Sequence, residues 1–247
     1  MKHSVEYSIG RYQLRINIWF LIIFLLVQTL LNELGFWQLN RAKEKQQRLV
    51  LLAQGEQETV TSLSELTAQQ INQFQKVKLK MQLKSEKILF LDNQVKEKRV
   101  GYHVLNVAQD SLTGKNYLLN RGWVMADIDR SKLPDIELPD SNWLIEGRVY
   151  PLPPKSISTE SARVEVYPSG YRLPVLDQHI VNEIGQYLGL EIQYYIIRLD
   201  QNVQGAFDTE WVWTNMTAEK HLAYAFQWFS LALGFLVVSL FACINKR

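Results

Sequence analysis

The run NIWFLIIFLLVQTLLNELGFWQL, Asn17 to Leu39, decides how the rest of the chain is read. Its centre, Ile18 to Val27, is wholly apolar. At ~1.5 Å rise per residue, about 20 helical residues cross the hydrocarbon core of a bilayer. Arg11 and Arg15 precede the run, as basic residues precede a cleaved secretion signal, but no A-x-A-like cleavage site follows. The helical pattern instead continues through Leu34 and Leu39 into RAKEKQQRLVLL. The run therefore reads as a membrane anchor, with a span over residues 16–39.

The chain closes on a second apolar run, Ala223 to Ile244, followed by Asn245-Lys246-Arg247. It predicts a span over 221–244. Two spans put both termini on one side. Lys2, Arg11, Arg15, Lys246 and Arg247 favour cytoplasmic ends, whereas Arg41, Lys43, Lys45 and Arg48 flank the inner end of the first span. The connecting region of ~180 residues is long enough to translocate largely regardless of charge. The expected order is a cytoplasmic N-terminus (1–15), an extracytoplasmic domain (40–220) and a cytoplasmic C-terminus (245–247).

Composition agrees with an anchored domain. Among 247 residues, 47% are apolar, yet the mean hydropathy is −0.14, so the apolar excess is concentrated at the ends. The formal net charge of +2, from 27 basic and 25 acidic residues, carries no signature of nucleic-acid binding. Cys243 is the one cysteine and lies in the last apolar run, so the middle holds neither disulfide nor thiolate site.

Between the spans, short strands dominate. QKVKLKMQL alternates, with Val77, Leu79, Met81 and Leu83 on one face. KILFLDNQV, GYHVLNVAQ, YLLNRGWVM, NWLIEGRVY and IQYYIIRLD follow as further strands. LDQHIVNEIGQYLGLE has helical spacing at Leu176, Ile180, Ile184 and Leu188. The first span is expected to run on as a helix to about Ala53, ending at Gly55, with Ser62 and Glu65 as a capping box for a short helix. The Pro-rich stretch PLPPKSISTESARVEVYPSGYRLP reads as a long loop. The fold class is α+β: two transmembrane helices flank a mostly antiparallel β domain, a sheet or small barrel, with one or two helices.

Catalytic signatures are missing. His3, His103, His179 and His221 are too scattered for a metal motif, and GxSxG, GxGxxG and the P-loop pattern are absent. Asp127 and Asp129 read as a solvated turn. Two features remain. On a helix, His221, Tyr224, Ala225 and Trp228 share one face, while Gln38, Arg41 and Lys45 share a face at the end of the first span, with Trp37 adjacent. Aromatics at that depth serve as interfacial anchors, and Gln38 or Gln227 can link helices. The sharper alternative is a site, since imidazole ligates haem iron and a nearby cation suits its propionates. The other feature is Asn120-Arg121-Gly122-Trp123, where a strand should end or bulge at Gly122. Read as structure alone, Arg121 caps an edge and Trp123 fills the core.

GFWQLNRAKEK closing one span, then GYHV, LLNRGWV and EGRV, then HLAYAFQWF opening another, resemble in that order the surfeit locus protein family of cytochrome c oxidase assembly factors. The resemblance implies a non-enzymatic factor that assists haem A delivery to, or insertion into, subunit one of a haem-copper oxidase. A scaffold that stabilises an oxidase intermediate without haem is the alternative. The resemblance implies transient haem a as cofactor, subunit one, other assembly factors and membrane lipid as partners, and a bacterial inner membrane as location, with the mitochondrial inner membrane as the alternative. His221 stands where the family's proposed haem ligand lies; Trp37, Gln38 and Arg41 match the motif closing the first span, and Gly122 and Trp123 the central motif. The chain departs from the family in VKLKMQL, which lacks a glycine usual there.

Overall fold

The computed structural model describes residues 4–9, 12–154, 163–213 and 216–246. Lys2, His3, Arg11, Arg247 and part of the Pro-rich stretch lie outside them. The chain divides into two compact units, Met1–Leu49 with Val212–Arg247, and Val50–Trp211.

The first unit opens with strands β1 (Ser4–Ile9) and β2 (Tyr12–Asn17), which pair antiparallel. Helix α1 (Ile18–Glu56) follows at once, because Asn17 Oδ1 accepts from Trp19 N at 2.8 Å and caps it. At 39 residues, α1 runs past Gly55, beyond the end expected from the sequence. A helix interior tolerates one glycine at a cost of about 1 kcal/mol, so Gly55 weakens the last turn without ending it.

The second unit begins at the last turns of α1. Then come β3 (Thr59–Val60), α2 (Ala68–Asn72), β4 (Lys76–Leu83), β5 (Ile88–Lys96), β6 (Arg99–Asp110), β7 (Asn116–Met125) and β8 (Asn142–Pro151). After these lie β9 (Glu165–Tyr167), β10 (Gly170–Leu173), α3 (Gln178–Leu188) and β11 (Ile192–Leu199). The first unit resumes with α4 (Ala218–Cys243) and β12 (Ile244–Lys246), which pairs with β2. Both α1 and α4 are long and apolar enough to cross a membrane.

The sheet order β4-β8-β11-β7-β6 closes on itself because β4 also pairs with β6, giving a five-stranded barrel. The length of β6 makes the closure possible. Its first part pairs with β5, and Ala108–Asp110 at its end pair with β4. Strands alternate between two sides, as a two-residue period requires. Leu119, Ile197, Leu79 and Ile145 belong to one buried cluster, whereas Leu118 and Ile196, one residue away, join the cluster under α3. Helix α3 contributes Ile180, Val181 and Ile184 to that second cluster. Each fully buried side chain of this kind contributes roughly 1.5–3 kcal/mol. Asp177 caps α3 by accepting from Ile180 N at 3.0 Å.

Two local expectations are corrected. The capping box of α2 sits at Thr67 and Gln70, and Ser62 accepts from Ser64 N ahead of a short 3-10 turn; the side chain of Glu65 lies outside the described residues. The α2 helix starts five residues later than expected, so its reciprocal bonds form where its own first N–H groups are orphaned. The Pro-rich stretch is not all loop. Its second half folds back as the hairpin β9–β10, and β10 pairs parallel with β5, so the edge of the sheet orders it.

Candidate functional site

In the first unit, α1 and α4 pack as antiparallel partners along a seam. The buried residues of α4 are Ala218, His221, Ala225, Ala232 and Ser239, recurring at steps of three, four and seven. Those of α1 nearest its polar end are Gly35, Gln38 and Ala42. This is the spacing of a helix–helix seam, closed by side chains across it rather than by close approach of the two backbones. At Gly35 a Cβ would lie 2.6 Å from the Phe229 ring, so any larger residue must displace that ring. Phe36 meets Phe229 edge-on at 5.3 Å, and Phe24 stacks on Phe235 at 5.5 Å.

One polar pair interrupts this seam. His221, 6% exposed, places Nδ1 at 2.7 Å from Oε1 of Gln38, 9% exposed. An amide oxygen only accepts, so Nδ1 is the donor, and in a neutral ring the lone pair then lies on Nε2. This is the tautomer of a metal-ligating histidine, whose second nitrogen donates to a carbonyl or carboxylate. The amide also satisfies the buried N–H, which would otherwise cost on the order of 1–3 kcal/mol.

The other residues singled out in the sequence divide around this pair. Trp228 is half-buried beside the seam, whereas Tyr224 (45% exposed) and Trp37 (54% exposed) point outward from it. Arg41 is partly exposed and pairs with Glu44 one turn on. Gln227 is exposed, so Gln38 is the glutamine that links the helices. Among the described residues no three His, Cys, Asp or Glu gather as a metal site.

The central motif lies in the second unit, on β7. Val104 pairs with Gly122 but Leu105 with Asn120, so Arg121 is the extra residue of a bulge. Gly122 takes φ +113°, and a Cβ there would meet Asp208 O at 2.6 Å. The roles of its neighbours reverse the expectation from sequence. Arg121 is 2% exposed, while Trp123 is half-buried and donates its indole N–H to Gln94 O at 2.7 Å. Arg121 Nε donates to Gly205 O at 2.7 Å and Nη1 to Asn106 Oδ1 at 3.1 Å, with the guanidinium 4.6 Å over the Phe207 ring. Burial pulls its pKa down to about 10, still charged at neutral pH. The backbone repeats the link: Phe207 N donates to Arg121 O at 2.6 Å, and Trp123 N to Asp208 O at 2.7 Å. The motif thus clamps Gly205–Asp208 onto the barrel. Asp127 and Asp129 lie exposed after β7, as a solvated turn.

Sequence reasoning missed the burial of Arg121. The signal available was the glycine after it, since a bulge turns an extra side chain to an unexpected face. Comparison with known proteins gives one result. Residues 25–233, most of the chain, match the model of the SURF1 family. No curated protein matches the chain. The stretch matched takes in Gln38, the β7 bulge and His221 together, and on that extent of agreement the chain belongs to the SURF1 family, which is associated with cytochrome c oxidase assembly.

Proposed function

We propose that this chain assists oxidase assembly by holding haem a at the helix pair, where His221 Nε2 would ligate its iron, and passing it to subunit one. The observation that carries the reading is the bond between His221 Nδ1 and Gln38 Oε1. It holds the ring in the ligating tautomer. A bare ion would need several protein ligands, which are not gathered there among the described residues. Haem brings four nitrogens of its own, and one imidazole completes a usable site. Arg41 would neutralise propionate charge by exchanging its partner Glu44. Bound haem would supply a coloured, redox-active iron centre; the chain supplies position and a defined proton on Nδ1. The inner membrane is the location this role requires.

A second reading has its own support. His221 is 6% exposed and already bonded, so the pair can serve as an interhelical link in a scaffold that binds no haem. Purification from cells that synthesise haem A separates the two. The haem reading predicts a pyridine haemochrome signal in the wild type that falls at least several-fold in His221→Ala. A colourless wild-type protein, or a signal unchanged in His221→Ala, contradicts it and leaves the scaffold.

A further inference from the structure

Helix α1 carries a carboxylate on the face that turns away from α4. Two residues along an α-helix are about 200° of rotation, so Glu33 stands opposite Gly35, which lies against the Phe229 ring in the seam. Glu33 is exposed, and so are Leu26, Leu30 and Trp37, which lie at helical spacing along the same stripe.

The helix pair offers this charge no partner. The positions one turn away on either side are Thr29, Leu30, Phe36 and Trp37, none of them a cation. Arg41, the next cation along α1, stands eight residues on and pairs with Glu44. The one cation of α4, Lys220, lies in its first turn. Among the described residues the Glu33 carboxylate has neither a hydrogen-bond nor an ionic partner.

Depth makes that isolation matter. The span expected over residues 16–39 puts Glu33 six residues inside its end, ~9 Å below it. The Cα–Cβ bond of a helical residue tilts toward the N-terminus, which here leads deeper into the bilayer. Two methylenes do not carry the carboxylate back to the headgroups, a reach that the longer Lys and Arg stems have. An ionisable side chain at such depth is costly against lipid and pairs with another polar group where it persists.

We infer that this face of α1 docks a transmembrane helix of another protein, one that presents an Arg or Lys to Glu33 within the bilayer. Charge complementarity selects that partner, and Leu26, Leu30 and Trp37 supply apolar packing on either side of the ion pair. A second copy of this chain does not fit. Two copies in one membrane run parallel and would bring their Glu33 carboxylates together at one depth. The docking face lies opposite the seam that holds His221, so it is independent of whether haem is bound.

Förster transfer in phosphatidylcholine vesicles tests this, with the full chain labelled at Cys243, its one cysteine. The probes are acceptor-labelled Leu/Ala helices of about 22 residues that carry Arg, Leu or Glu at the depth of Glu33. The expected result is that the Arg helix associates about tenfold or more tightly than the Leu helix, and the Glu helix no more tightly than the Leu helix. Glu33→Leu, which keeps the far-ultraviolet spectrum of the wild type, should make the three helices equal. The inference is overturned if the Arg and Leu helices associate alike with the wild type, or if Glu33→Leu keeps the preference for Arg. It is also overturned if transfer between two labelled copies of the chain is strong and is lost in Glu33→Leu, which would make the occupant a second copy.

Discussion

Each unit of the molecule buries a polar side chain where apolar packing would be expected, and the two are treated differently. In the barrel unit, Arg121 spends its donors on Gly205 O and Asn106 Oδ1 and its face on Phe207. Backbone bonds on both sides of it tie the same loop. In the helix pair, His221 uses one nitrogen on Gln38, and the seam around it is built of Ala, Gly and Ser. Removing the first should dismantle structure. Removing the second should change chemistry more than stability. Buried polar groups that bind backbone carbonyls act as clamps, whereas the Gln38 bond leaves the second nitrogen of His221 for the haem ligation proposed above.

The strongest way to break this contrast is at the clamp. Arg121→Ala leaves two acceptors without donors and a cavity, and should cost about 3–5 kcal/mol in guanidinium unfolding of the detergent-solubilised chain. Arg121→Met keeps the volume and removes the buried charge, and should cost roughly half as much. Equal costs would mean that the side-chain volume contributes nothing and that the lost hydrogen bonds account for the whole effect.

Acidification gives the next largest effect. Burial, with the nearby charge of Arg198, holds the His103 pKa at about 4, below the usual 6.5 of a free imidazole. The unfolded chain therefore binds more protons across that window, so stability is fully present above pH 6.5 and falls as the pH drops toward 4. The loss reaches at most roughly 3 kcal/mol. His103→Gln should flatten that part of the pH profile, and an unchanged slope would refute the assignment.

In the helix pair, Gly35→Leu should cost about 2 kcal/mol by driving a side chain into Phe229. The polar pair should matter least to stability. A double-mutant cycle of Gln38→Leu and His221→Leu should give a coupling of only about 0.6–2 kcal/mol. If haem is bound, Gln38→Leu should retain it but raise its reduction potential, because the imidazole loses the acceptor that makes it electron-rich. A potential unmoved by Gln38→Leu would show that the bond does not tune the ligand.

Much of this was legible in the sequence where one residue's pattern reports its own environment. Alternation located β4, since Val77, Leu79 and Met81 are buried in turn. Helical phase puts His221 and Gln38 each on the polar-aromatic face of its own helix, at the same end of the two spans. The rest depends on partners distant in sequence. Barrel closure rests on β4 meeting the end of β6, which no local pattern encodes. Arg121 reads as an edge residue until Gly205 and Phe207 arrive to cover it. Tyr224 and Trp37 carried the aromatic signal of a site yet stand outside the seam, as interfacial anchors do. The strand pairing of the two termini through β2 and β12 left no mark in composition.

The most direct test is a reduced-minus-oxidised spectrum of membranes from cells lacking this gene, complemented in parallel with wild type and His221→Ala. The account predicts that wild type restores the haem a band, that His221→Ala leaves it near the deletion level, and that both proteins accumulate equally by immunoblot. Full restoration by His221→Ala would contradict the central role given to the histidine and leave the helix pair as an anchor.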